Sequence, residues 1–164
     1  MKKQLTLVFM VCIFTFLAVS GTAAEKSTKT QDMNFYLNLG VLSNDTFDMF
    51  HWQGGMMMDI FIGENLVLSP EVMLTGYKFA FDYLYLYPGA TLNLLLTKGE
   101  NKLFVGGGII MFVPIIPGDY DTKLELKING GLMAGNLRLS VFFWTPFSDL
   151  FSLYTLGANI GFAL

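Results

Sequence analysis

The chain has a single cysteine, Cys12, and a single histidine, His51, among its 164 residues. Cys12 falls in an N-terminal apolar stretch that reads as a removable leader, so the mature chain is expected to carry no thiol, disulfide or thiolate ligand. One imidazole without cysteine does not make a typical zinc centre, and neither a metal nor a cofactor is expected. Charge is scarce as well: Asp, Glu, Lys and Arg make up 14% of the residues, with a formal net charge of -3. There is no basic patch of the kind that binds nucleic acid. Long apolar runs are also missing. Beyond residue 24 nothing approaches the ~20 residues of a transmembrane helix; stretches such as Ile109 to Val113 are strand-sized. Yet 53% of the chain is hydrophobic and its mean hydropathy is +0.51, too apolar for an ordinary soluble domain. High hydropathy broken into short segments is the composition of a membrane β-barrel.

The first residues read as an export signal. Lys2 and Lys3 precede the apolar stretch Leu5 to Val19, and Thr22-Ala23-Ala24 supplies small residues for cleavage. Three parts are expected: a signal peptide (1–24), a flexible polar segment (25–33) and the barrel (34–164).

From Asn34 onward the dominant period is two, the period of strands with two unlike faces. Phe35, Leu37, Leu39 and Val41 alternate with Asn34, Tyr36, Asn38 and Gly40. The same alternation recurs in segments beginning near Gly55, Leu66, Phe81, Leu103, Lys123, Leu137 and Tyr154. That makes eight segments, mostly near the ~9–11 residues of a tilted membrane strand. Gly63-Glu64-Asn65, Thr97 to Asn101 and Ala134-Gly135-Asn136 have the chemistry of tight turns. Asn44 to Gln53, Pro114 to Asp121 and Thr145 to Phe151 read as longer loops. Short turns belong at the periplasmic end of such barrels and longer loops outside. The expected fold class is therefore all-β, an eight-stranded antiparallel up-and-down transmembrane barrel after a signal peptide, in the bacterial outer membrane.

Period alone does not say which face points inward. The aliphatic face carries no charge in any segment, as hydrocarbon demands, and the opposite face is rich in Gly, Asn and Tyr, which suit a crowded interior. A soluble, lipocalin-like barrel is the alternative.

The last segment resembles the closing strand of outer-membrane barrels: Leu156, Ala158, Ile160, Phe162 and Leu164 alternate up to the terminus, with Leu in place of the usual final Phe. Leu68-Ser69-Pro70-Glu71 and Phe104-Val105-Gly106-Gly107-Gly108 are similar to strands of the small OmpA/OmpX/OmpW-type barrels. The resemblance implies a cell-envelope protein with outer-membrane lipid around it. It also implies recognition of the C-terminal strand by the barrel-assembly machinery. It selects no family member, and a monomer is expected.

Two sets of residues could carry a function. Asp59, Glu71, Lys123, Glu125, Lys127 and Arg138 fall on the inward face, either as an ion-pair network that plugs the lumen or as the lining of a polar conduit. Trp52, Pro114, Ile115, Ile116, Trp144 and Phe147 mark a possible apolar rim or ligand site near the loops, against the plainer reading of packing and an aromatic girdle. Tyr83, Tyr85 and Tyr87 form an expected inward ladder. No catalytic residue is expected: deacylases of the PagL type carry a Ser close to their His, whereas His51 is followed by Trp52 and Gln53. The reading is a non-enzymatic outer-membrane barrel with a structural or surface-interaction role. A narrow binding or transport barrel for a small, apolar molecule is the alternative, and a lipid A-modifying enzyme the third.

Overall fold

The computed structural model describes residues 33–44, 50–77, 83–116, 121–150 and 153–164. The expected signal peptide and most of the polar segment after it lie outside the described residues, as do the loop tips. The strands are β1 (Met33–Asn44), β2 (Phe50–Ile62), β3 (Leu66–Tyr77), β4 (Leu84–Leu95), β5 (Asn101–Ile116), β6 (Lys123–Ala134), β7 (Leu137–Pro146) and β8 (Thr155–Ala163). Each pairs antiparallel with its sequence neighbours, and β8 returns to β1, giving a closed up-and-down barrel.

Several strands run further than the alternation suggests. β2 begins at Phe50, so His51, Trp52 and Gln53 are strand residues, held in register by Tyr77, Gly76 and Thr75 of β3. β5 continues to Ile116, which pairs with Leu84, so Pro114, Ile115 and Ile116 belong to the strand and not to a loop. Proline lacks the N–H that a ladder uses, and it is tolerated at a bulge; the register shifts between Leu84 and Tyr85, beside Pro114. Tyr83 precedes β4 and is exposed, so the expected tyrosine ladder has two rungs, Tyr85 and Tyr87.

The three tight turns cluster at one end. Gly63 (φ 69°), Gly99 (φ 109°) and Gly135 (φ 55°) take the left-handed backbone conformation that glycine adopts without a Cβ clash. This is called the turn end below, and the opposite one the loop end.

Register fixes the dimensions. Ser43 of β1 lies beside Leu156, and the row continues through Phe143, Ile128, Gly107, Leu92, Leu68 and Ile60 to Met33, back on β1. One circuit thus moves ten residues along β1, a shear of ten. With a rise of ~3.3 Å per residue and ~4.7 Å between strands, the strands tilt by about 40° and the Cα cylinder has a radius of about 8 Å.

The two faces separate by chemistry. Outside are Phe35, Leu37, Leu39 and Val41 of β1, Leu92 and Leu94 of β4, Val105 and Ile109 of β5, Leu139 and Val141 of β7 and Phe162 of β8, all exposed. Met58 and Ile60 share this outward parity but are buried. Inside are Tyr36, Asn38, Asp59, Ser69, Glu71, Thr91, Asn93, Lys127, Asn129 and Arg138, all buried. An aliphatic exterior around a polar, charged interior inverts a soluble barrel and suits hydrocarbon.

Val141, midway along β7, tests that orientation. Val141→Arg should cost about 2–4 kcal/mol of unfolding free energy in lipid bilayers, read from urea titrations. A change within about 0.5 kcal/mol, as on a water-facing surface, would contradict the lipid-facing assignment.

Candidate functional site

The inward side chains stack in layers from the turn end upward. The lowest is apolar: Val67, Leu95, Phe104 and Met133 form one buried cluster, with Phe61 packed against it. These residues flank the tight turns on β2 through β6. Lys102 lies 4.7 Å from the centre of the Phe61 ring.

Above this comes a polar belt. Arg138 of β7 pairs with Asp59 of β2, and both are buried. Ser69 donates to the same Asp59 Oδ1 at 2.6 Å. Asn93 donates to Ser69 at 2.8 Å and to Thr91 at 3.2 Å, and Asn129 donates to Asn93 Oδ1 at 2.9 Å. The network therefore runs over β2, β3, β4, β6 and β7. The Arg138 guanidinium also lies 4.4 Å from the centre of the Phe104 ring, joining the belt to the apolar layer. A second ion pair, Lys127 of β6 with Glu71 of β3, crosses the lumen higher up and is also buried.

Lys127 reaches the next layer, 5.0 Å from the Phe142 ring centre and 6.0 Å from that of Trp144. Trp144 is sandwiched between Tyr87 and Phe142, with ring centres 4.9 and 4.7 Å away. Leu42, Met73 and Ile110 complete this buried cluster, and Tyr85 and Phe112 pack against it.

The six expected lumen charges therefore divide. Asp59, Glu71, Lys127 and Arg138 form the two transverse pairs. Glu125 is buried near the loop end, with its Oε2 lacking a hydrogen-bond partner among the described residues. Lys123, the first residue of β6, is exposed and corrects the expected set, because its position at the strand end lets the ammonium reach solvent.

The apolar-rim residues divide too. Trp144 has inward parity, is 2% exposed and belongs to the lumen, not the rim. Trp52 is half-buried on the outward side of β2, against Gly76, where a Cβ would stand 2.6 Å from the indole. Ile115 and Ile116 are exposed at the end of β5, Pro114 is half-buried beside them, and Phe147 is exposed where a 3-10 turn follows β7. Trp52 thus stands on β2, Pro114, Ile115 and Ile116 on β5, and Trp144 and Phe147 on or just after β7.

His51 packs against Tyr77, with ring centres 5.4 Å apart. Among the described residues no group of three His, Cys, Asp or Glu side chains is placed to hold a metal ion. An apolar groove of about 580 Å3 lies on the outer wall, lined by Val41, Val105, Gly130, Val141 and Ala158 among others, so it faces surrounding hydrocarbon.

Sequence parity identifies inward residues but not their partners. The roles of Ser69, Asn93 and Asn129 emerge only with the shear, which brings them to one level. The same holds for the apolar layer, whose members lie on β3 to β6.

The transverse pairs are testable. Arg138→Met leaves Asp59 buried without its cation and should destabilise the barrel by about 3–5 kcal/mol. Asp59→Leu combined with Arg138→Met should recover most of that loss, as read in urea unfolding. Equal, additive losses would show that the pair is not the dominant contact of either residue.

No protein-family model matches the chain, and no curated protein matches it by sequence. Solved structures do. A de novo designed transmembrane β-barrel aligns with 85% of this chain and 100% of its own, at 14% identity and a TM-score of 0.55. The solution NMR structure of the designed barrel TMB2.3 aligns with 84% of this chain and 98% of its own, at 10% identity and a TM-score of 0.50. Ail, the attachment invasion locus protein of Yersinia pestis, aligns with 80% of this chain and 94% of its own, at 13% identity and a TM-score of 0.43, too distant to inform on role. The fold of this chain is that of an eight-stranded transmembrane β-barrel.

Proposed function

We propose that this protein is a sealed, non-enzymatic barrel of the bacterial outer membrane, with a structural or surface-interaction role. The observation that carries the reading is the filled lumen. Two buried ion pairs cross it between an apolar layer and an aromatic cluster. A cylinder of about 8 Å radius is filled by its own side chains, whereas porins hold water only with about sixteen strands. The turn end would face the periplasm and the loop end the exterior. At the loop end Phe50, Ile115, Ile116 and Phe147 are exposed, and they offer apolar surface for limited contact with lipid or protein. Assembly would proceed through recognition of β8, which presents Leu156, Ala158, Ile160 and Phe162 on one face.

Ionic conduction tests the seal. The refolded protein in planar bilayers should give no steady conductance at neutral pH, and a large, stable one would favour the transport alternative. The enzymatic alternative is tested separately: lipid A mass spectra should be the same from cells with the protein, without it, or with His51→Ala. Loss of an acyl chain that depends on His51 would overturn the non-enzymatic reading.

A further inference from the structure

The groove on the outer wall has a floor set by the register. Val41, Ala158, Val141, Gly130 and Val105 stand side by side on β1, β8, β7, β6 and β5, one outward row of small side chains. The next outward row toward the loop end raises Leu156, Phe143 and Ile128 along it as a ledge. The next row toward the turn end carries Ile160, Leu139 and Leu132. The trough between them is open: among the described residues, a Cβ on Gly130 would meet only the Phe104 carbonyl oxygen within 4 Å, at 3.4 Å. Five strands ~4.7 Å apart make the floor about 19 Å long. Because the strands tilt by about 40°, a row perpendicular to them descends about 12 Å in all and runs at about 50° to the barrel axis. It begins at Val41, three residues from the loop end of β1, and stops at Val105, four residues short of the turn end of β5.

We propose that this groove is a lipid site, which holds one straight, saturated acyl chain of a lipid in the leaflet at the loop end. The trough is continuous with the lipid-facing wall, so its occupant comes from hydrocarbon. Hydrophobicity does not select among apolar occupants there, because lipid tails are as apolar as Leu, and close packing decides instead. A trough left unfilled forfeits dispersion contacts, and a chain lying lengthwise along the floor recovers them. The length and direction of the floor choose the occupant. A chain hung from head groups at the loop end enters near Val41 and ends within the wall at Val105. A membrane-crossing segment would run past both ends. A second copy of the barrel is a convex cylinder that cannot follow a trough laid across the strands, and five small side chains are far short of the ~1,200–2,000 Å2 that a stable interface buries. The floor is one row without a step, so an extended chain lies flat on it. The kink of a cis double bond would strike the ledge of Leu156, Phe143 and Ile128.

The site depends on the membrane around the wall and not on the filled lumen, so a conducting barrel would overturn the seal and leave this inference standing. The test uses the full barrel in phospholipid bilayers with a trace of phospholipid that carries a nitroxide midway along a saturated acyl chain. Electron paramagnetic resonance counts the motionally restricted chains per barrel. Gly130→Leu with Ala158→Leu fills the floor and should remove one restricted chain. Ala90→Leu, at an exposed outward position of β4 away from the groove, should leave the count unchanged. Heat-dependent gel mobility checks the folding of each variant, and Ala158→Leu alone replaces the double variant if that one does not fold. Unlabelled phospholipid with saturated chains should displace the restricted label several-fold better than phospholipid with cis-unsaturated chains. Equal counts in the wild type and a folded, filled variant would overturn the site. Equal displacement by the two lipids would overturn the preference for a straight chain. A dimer in the wild type that becomes a monomer when the floor is filled would give the groove to a second copy and overturn the lipid assignment.

Discussion

The structure depends on the closure of its sheet. Eight strands with a shear of ten set both tilt and radius, and a cylinder about 8 Å in radius must be filled from its own wall. Closure also satisfies the backbone, since β8 pairs with β1 and leaves no open sheet edge in hydrocarbon. The shear decides which residues meet. Asp59, Ser69, Asn93, Asn129 and Arg138 lie far apart in sequence yet form one belt because each strand is offset along its neighbour by a fixed register.

Burial makes the charges in that belt interdependent. A lone ion in such an interior costs several kcal/mol, and an ion pair compensates only with good geometry and further hydrogen bonds. Asp59 meets this condition at its Oδ1, through Arg138 and Ser69, while its Oδ2 and the Arg138 Nε have no hydrogen-bond partner among the described residues. Lys127 meets it differently, with Glu71 on one side and the faces of Phe142 and Trp144 within cation–π reach. Trp144 therefore serves as packing and as a neighbour to a buried ammonium, a role its place near the end of β7 does not suggest.

The architecture was largely legible because a two-residue period marks each strand, and the lack of charge on one face fixes its direction. Strand ends were less so. His51 and Ile116 look like loop residues by their neighbours, yet each is held by a pairing partner, Tyr77 or Leu84, that only the register reveals. Lys123 shares the inward parity of Lys127, and parity cannot tell that one of the two lies at the strand end and reaches water. The candidate site was half legible: the sequence supplies the charges, while the pairing of Asp59 with Arg138 and Glu71 with Lys127 requires knowing which strands face each other.

The closing seam shows how these constraints act together. On its inner face β8 carries Gly157, Asn159 and Gly161, so it has few large side chains with which to grip its neighbours. Phe142 of β7 fills the space over Gly157, where a Cβ would lie 2.2 Å from its ring, and Tyr36 and Asn38 of β1 cover Gly161. The strongest polar tie near the seam also bypasses β8: Asp59 on β2 and Arg138 on β7 stand one strand outside β1 and β8 on either side. A bare β8 thus lets side chains of β7 and β1 close over it, while the ion pair spans the junction from the strands beyond. Bulk on β8 would push Phe142 and Asn38 back into a lumen that the shear leaves no wider, so the glycines at the seam and the charges across it follow from the same narrow radius.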